Sequence, residues 1–102
     1  MGLRGSSDRS MLILTSLAGG PKHGYALIQD IEEFGGLTLG AGTLYGCLAN
    51  LEQAGLIEPL PSDDRRRPYR ITGAGSALLE ERLEESRRIA RIGLARIKRA
   101  AT

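Results

Sequence analysis

Residues 42 to 72 constrain this chain most, because a helix with both ends marked is followed at once by a short hairpin with a basic tip. Between Gly42 and Ile57, Leu44, Leu48 and Leu51 recur at helical spacing and make one apolar face. Gly55 supplies a left-handed stop, after which Leu56-Ile57 turns apolar again. The other face carries Thr43, Gly46, Ala49, Asn50 and Gln53, all small or uncharged. A solvated helix face usually carries Lys and Glu. This one either presses into a groove, where Asn and Gln suit adenine, or is an ordinary polar surface. The helix alone does not choose between them.

The segment that follows favours the groove. Glu58-Pro59-Leu60-Pro61-Ser62-Asp63-Asp64 holds turn chemistry. Tyr69 and Ile71 then alternate with Arg70 and Thr72 as a half-buried strand, and Pro68 confines that strand to an edge or to its first position. The tip of this ribbon carries Arg65, Arg66 and Arg67. By themselves they are a solvated turn. Beside a groove-reading helix, such a loop positions a protein on DNA through phosphates or the minor groove.

Upstream, Met11, Leu12, Leu14, Leu17 and Ala18 leave little of a first helix polar. Ser6, Ser7 or Asp8 can cap it, and residues 1 to 5 are expected to fray. Its burial implies either a deep place in one core or packing against a second subunit. Gly19-Gly20-Pro21 breaks the chain. Leu27, Ile28, Ile31 and Phe34 then give a second helix one buried stripe, with Gln29, Asp30, Glu32 and Glu33 toward water, and Gly35-Gly36 ends it. Leu37-Thr38-Leu39 alternates and is expected to pair with the wing. Lys22 and His23 stand at the start of helix two, where a helix N-terminus can hold a phosphate; a solvated or capping histidine is the other reading.

From Thr72, a plausible N-cap, to about residue 99, Leu79, Leu83, Ser86, Ala90, Gly93 and Ile97 follow heptad-like 4-3-4-3-4 spacing. Leu78, Ile89, Ile92 and Leu94 widen the seam. Ala90 and Gly93 are small enough to let another backbone approach. Four Glu lie in residues 80 to 85, and six Lys or Arg with no acid lie in residues 87 to 99, the order the helix dipole favours. So long a stripe cannot be buried on one small domain, so it is read as a dimer helix. The expected fold class is mainly α with a small antiparallel β wing: a winged helix-turn-helix over residues 1–72 and a long C-terminal dimerisation helix over 73–102. Met11, Leu14, Leu79, Leu83, Ala90, Gly93 and Ile97 are the expected dimer interface.

Four pieces in order then carry a resemblance: Gly20-Pro21-Lys22-His23-Gly24-Tyr25, Gly42-Thr43-Leu44-Tyr45, Leu51-Glu52-Gln53-Ala54-Gly55-Leu56-Ile57, and Arg66-Arg67-Pro68-Tyr69-Arg70-Ile71-Thr72. Together, across about residues 10 to 85, they resemble the PadR family of bacterial transcriptional regulators. The resemblance implies a homodimeric winged helix-turn-helix that binds double-stranded DNA, usually as a repressor, in the subgroup with one C-terminal dimerisation helix. It also implies a small aromatic inducer near the dimer interface, although this chain has no Trp and one Phe. The chain departs from the family pattern at Gly46, often Pro, at Asn50, often Arg or Lys, and at Gly73, commonly acidic or Pro. These departures bear on the operator more than on the fold.

The DNA-contacting set expected on this basis is Lys22, His23, Tyr25, Thr43, Tyr45, Gly46, Asn50, Gln53 and Arg65 to Arg67. Thr43 and Tyr45 suit phosphate, and Asn50 or Gln53 suit base edges. The net charge of +2 would not by itself suggest a DNA binder. A dimeric winged-helix module that binds protein instead fits the same flat, uncharged face.

No enzyme is expected. The single histidine has no Cys, His or acidic cluster around it, so neither a catalytic residue nor a metal or other cofactor is assigned. The glycine-rich run from Gly35 to Thr43 lacks the Lys and spacing of a phosphate loop. The lone Cys47 is read as a small buried thiol and fits a reducing, cytoplasmic setting. Met11 to Ala18 mimics a signal peptide, but the apolar run is short and Asp8 interrupts the basic flank. No apolar run approaches the length of a membrane span, about 20 residues.

Overall fold

The computed structural model describes residues 6–62 and 65–101. Four helices and two strands follow in the order α1 (Ser6–Ala18), α2 (Gly24–Gly35), α3 (Ala41–Gln53), β1 (Ile57–Pro59), β2 (Tyr69–Ile71) and α4 (Gly73–Ala101). The strands pair antiparallel, with Ile57 opposite Ile71 and Pro59 opposite Tyr69. The chain is therefore mainly α with a small β wing and a long C-terminal helix. The expected fraying of residues 1 to 5 and the Asp63-Asp64 turn lie outside the described residues. The expected cap at Ser6 or Ser7 falls on side chains outside them too, and Asp8 lies within the first turn of α1.

One core joins all these elements. Ile13, Leu14 and Leu17 from α1, Leu27 and Ile31 from α2, and Leu44, Cys47, Leu48 and Leu51 from α3 meet Leu39, Ile57 and Leu79. Fully burying a Leu or Ile side chain contributes roughly 1.5–3 kcal/mol, and eight of these side chains, all Leu or Ile, are shut off from water. Cys47 is a buried free thiol, as its place at the edge of the leucine face predicts. The α1 stripe faces this core, so a deep position in one protomer accounts for most of its apolar character. Ala18 is exposed.

Each helix ends where its sequence says. His23 is the N-cap of α2, its Nδ1 accepting from the Ala26 N–H at 3.4 Å. Gly36 closes α2 in the left-handed region, and Gly55 (φ 77°) turns the chain just after α3, as expected. Thr72 caps α4, its Oγ1 accepting from the Gly75 N–H at 3.1 Å.

Four expectations are corrected. Leu37-Thr38-Leu39 forms no strand. Leu39 is anchored in the core, while the Thr38 hydroxyl is drawn back to Glu32 at 2.7 Å. The place beside β2 goes instead to Lys22, whose backbone bridges Tyr69 in both directions, at 3.2 and 2.9 Å. Phe34, expected in the buried α2 stripe, is exposed because α2 runs past the edge of the core before it reaches that turn. Asp30, expected to face water, turns toward α1 and accepts from the Ser16 hydroxyl at 2.6 Å. Leu14 and Leu79, expected in a dimer interface, are 1% and 5% exposed within the protomer and offer a partner almost no surface.

Candidate nucleic-acid interface

The face of α3 opposite the buried Leu44, Cys47, Leu48 and Leu51 is open. Thr43, Tyr45, Gly46, Asn50 and Gln53 all lie on it, exposed, with Gly42 and Ala49 between them. Helical periodicity makes this unavoidable: once the leucines are buried, the small and uncharged side chains must point outward. Nothing lies within 4 Å of a Cβ placed at Gly42 or Gly46, so the backbone there is approachable. Gly40 begins the helix without a side-chain cap, which leaves first-turn amides for an outside acceptor.

Tyr45 is held by the neighbouring helix. A Cβ at Gly24 would lie 2.5 Å from the Tyr45 hydroxyl and 2.9 Å from its ring. Only glycine at the first position of α2 lets the ring lie across that turn. Tyr45 remains half exposed, on the side toward the wing. Tyr25, beside it on α2, is exposed and its hydroxyl accepts from Gln29 Nε2 at 3.2 Å.

The wing meets α3 through β1, and Tyr69 of β2 lies within electrostatic reach of Glu52 and Tyr45. Burial, and after it the charge of Glu52, hold the Tyr69 phenol above its ordinary range, while Arg67 pulls the other way. Arg65, Arg66 and Arg67 are exposed. Arg70, on β2, is occupied by Glu58 across the ribbon, with Nε 2.9 Å from the carboxylate. Arg70 is thus committed to Glu58, and three exposed arginines of the hairpin lie at its tip.

Lys22 does not join this surface. Its ammonium turns inward to the Ser16 carbonyl at 2.5 Å, with the Gly20 carbonyl at 3.4 Å and the Asp30 carboxylate at 3.9 Å. The last carbonyls of α1 have no partner within the helix, and a cation there also complements the helix dipole. Gly20 (φ 137°) and Pro21 bend the chain so that Lys22 meets them. In the protein without DNA, the ammonium holds the turn. His23 stays at the surface margin, its Nδ1 engaged as the cap.

Two contributors escaped sequence reasoning. Gly24 seats Tyr45, and no local signal marks it beyond a glycine at a helix start. Asp30 holds the α1–α2 turn together with Lys22, and the polar run it shares with Gln29, Glu32 and Glu33 masked this. Among the described residues, no group of three or more His, Cys, Asp or Glu could hold a metal ion. No helix among them is long and apolar enough to cross a membrane.

Known proteins share this fold. The profile of the "Transcriptional regulator PadR-like family" matches residues 13–81. An uncharacterized 37.1 kDa protein in transposon TN4556 of Streptomyces fradiae is 45% identical over 84 residues, 82% of this chain and 24% of that protein. The transcriptional activator GvpE2 of Halobacterium salinarum is 34% identical over 71 residues, 70% of this chain and 36% of its own length. The chain thus spans about a quarter and about a third of these two relatives. The crystal structure of a PadR family transcription regulator from Clostridium difficile aligns with a TM-score of 0.73 at 27% identity, over 81% of this chain and 91% of that one.

Proposed function

Because this chain belongs to the PadR-like family of transcriptional regulators, we propose that it is a sequence-specific DNA-binding regulator, a homodimer that represses by occupying a near-palindromic operator. The family is one of transcription regulators rather than enzymes. The observation that carries the reading is the open, uncharged, small-residue face of α3 set beside an arginine-tipped hairpin.

In this reading α3 lies in the major groove. Gly42 and Gly46 allow close approach, Asn50 and Gln53 meet base edges, and Thr43 and Tyr45 meet phosphates. His23 and Tyr25 stand at the flanking backbone, and Arg65 to Arg67 grip it from the wing. Residues 1–72 read, and residues 73–102 pair the subunits. Leu83, Ile89, Leu94 and Ile97 of α4 are exposed, the last two at 67% and 68%. Such a stripe calls for a cover. Met11, Leu83, Ala90, Gly93 and Ile97 remain the proposed contact. A two-fold axis would set half-sites about 34–36 Å apart. Relief by a small aromatic ligand would act by changing the angle between subunits. One relative is named a transcriptional activator, so activation is the alternative sign of control.

The absence of Lys and Arg from α3 also fits a winged helix that binds protein. Fluorescence anisotropy separates the two. DNA from upstream of the protein's own coding region is expected to bind with steep salt dependence and at least about a thousandfold preference over scrambled DNA. Equal, weak binding to both would leave either an operator elsewhere or the protein-binding module. Ala90→Arg with Gly93→Arg is expected to give folded monomer by sedimentation, because two buried charges cannot be accommodated at a close helix crossing. A persisting dimer would place the interface elsewhere.

A further inference from the structure

Thr72 stands where the wing ends and α4 begins. Its hydroxyl donates to the Gly55 carbonyl at 2.7 Å while accepting from the Gly75 N–H, and its own N–H donates to the Leu56 carbonyl at 3.0 Å. Gly75, three residues on, is buried. A Cβ there would overlap the Leu56 carbonyl oxygen and come within 2.8 Å of Ile71 Cγ1. Three of these contacts, two from Thr72 and one from Gly75, meet Gly55 and Leu56, the residues by which the chain leaves α3.

We propose that Thr72, seated by Gly75, is the joint that sets the direction of α4 relative to α3. It is a positioning residue that fixes the angle between the pairing helix and the reading helix. The inference rests on the reading above, in which α3 contacts DNA and α4 pairs the subunits. Its physical basis is leverage. Of the 29 residues in α4, Gly75 and Leu79 alone are buried among those described. The whole helix, about 43 Å long, takes its direction from its first two turns. A small rotation at Thr72 becomes a displacement of several ångströms at the far end. In a dimer that displacement separates the two reading helices, and half-sites on a rigid duplex tolerate little of it.

The test uses the full chain and a duplex enriched from randomised DNA by the wild-type protein, with a second duplex in which one half-site is scrambled. Thr72→Val keeps the shape and removes the hydroxyl; Thr72→Ser keeps the hydroxyl. Thr72→Val is expected to lose about tenfold in affinity for the full operator while half-site affinity stays within about twofold. It should also tolerate half-site spacings changed by one base pair better than wild type does. Thr72→Ser should restore both properties. A purely structural role would lower the melting temperature without moving the ratio of full-site to half-site binding. Equal losses on both duplexes, or no loss on either, would overturn the joint. The wild-type enrichment is read first: if no sequence is enriched, the DNA-reading proposal itself is overturned, and the joint with it.

Discussion

Replacing Arg65, Arg66 and Arg67 together by alanine is expected to weaken DNA binding by on the order of a hundredfold or more near 0.1 M salt, with the fold intact. The reason is counterion release. Each cation on a phosphate releases condensed ions, and the salt dependence of log K falls by about 0.9 for each contact removed. Three lost contacts should flatten the slope by close to 3, which separates a phosphate role from a readout role. The loss should be similar on matched and scrambled DNA, since phosphate contacts carry no sequence. Replacing Asn50 or Gln53 should instead erode the preference for the operator by about 1–3 kcal/mol with little change in slope. The fold should survive the triple change because the tip is exposed and the hairpin is held elsewhere. Its backbone pairs Ile57 with Ile71 and Pro59 with Tyr69, and Tyr69 also pairs with Lys22. Anisotropy titrations at several salt concentrations check this, alongside a thermal melt. Unchanged affinity would remove the wing from the interface.

Gly75→Ala and Gly46→Ala are expected to shift stability in opposite directions, although each adds the same methyl group to a helix. In an open helix, alanine is better than glycine by about 1 kcal/mol, because glycine loses more backbone freedom on folding. Gly46 is in that situation, with nothing within 4 Å of the added Cβ. Gly75 is not. Its methyl group would overlap the Leu56 carbonyl oxygen, a backbone atom that cannot rotate away. Overpacking of this kind costs roughly 1–3 kcal/mol and sometimes more. That loss outweighs the propensity gain and is large for a domain whose total stability is of order 5–15 kcal/mol. Urea denaturation checks both. Equal stabilisation by the two substitutions would mean that α4 does not press on Leu56 as described.

The elements were legible because their signals are local. Leu44, Leu48 and Leu51 recur at a helix period, Gly36 and Gly55 stop helices by tolerating positive φ, and Tyr69 to Thr72 alternates. The face of α3 followed from the same periodicity, so Thr43, Tyr45, Gly46, Asn50 and Gln53 emerged together on one open surface. Phe34 shows where periodicity stops helping. It has the right spacing for the α2 stripe, but spacing does not say how far the core extends along a helix. Leu37 to Leu39 shows the same limit for strands. An alternating triplet is necessary for pairing but not sufficient, and the place beside Tyr69 of β2 is taken by Lys22.

By itself, then, the sequence determined the order and bounds of the helices, the hairpin, the uncharged face of α3 and the long stripe of α4, since each depends on residues a few places apart. The tertiary structure decided which of those surfaces are already used. It turned Lys22 inward to the end of α1, laid Tyr45 over Gly24, buried Leu14 and Leu79 within the protomer, and brought Thr72 and Gly75 against Gly55 and Leu56. Those contacts join residues distant along the chain. They are settled by competition for the same core space and the same unpaired backbone groups, which no local pattern records.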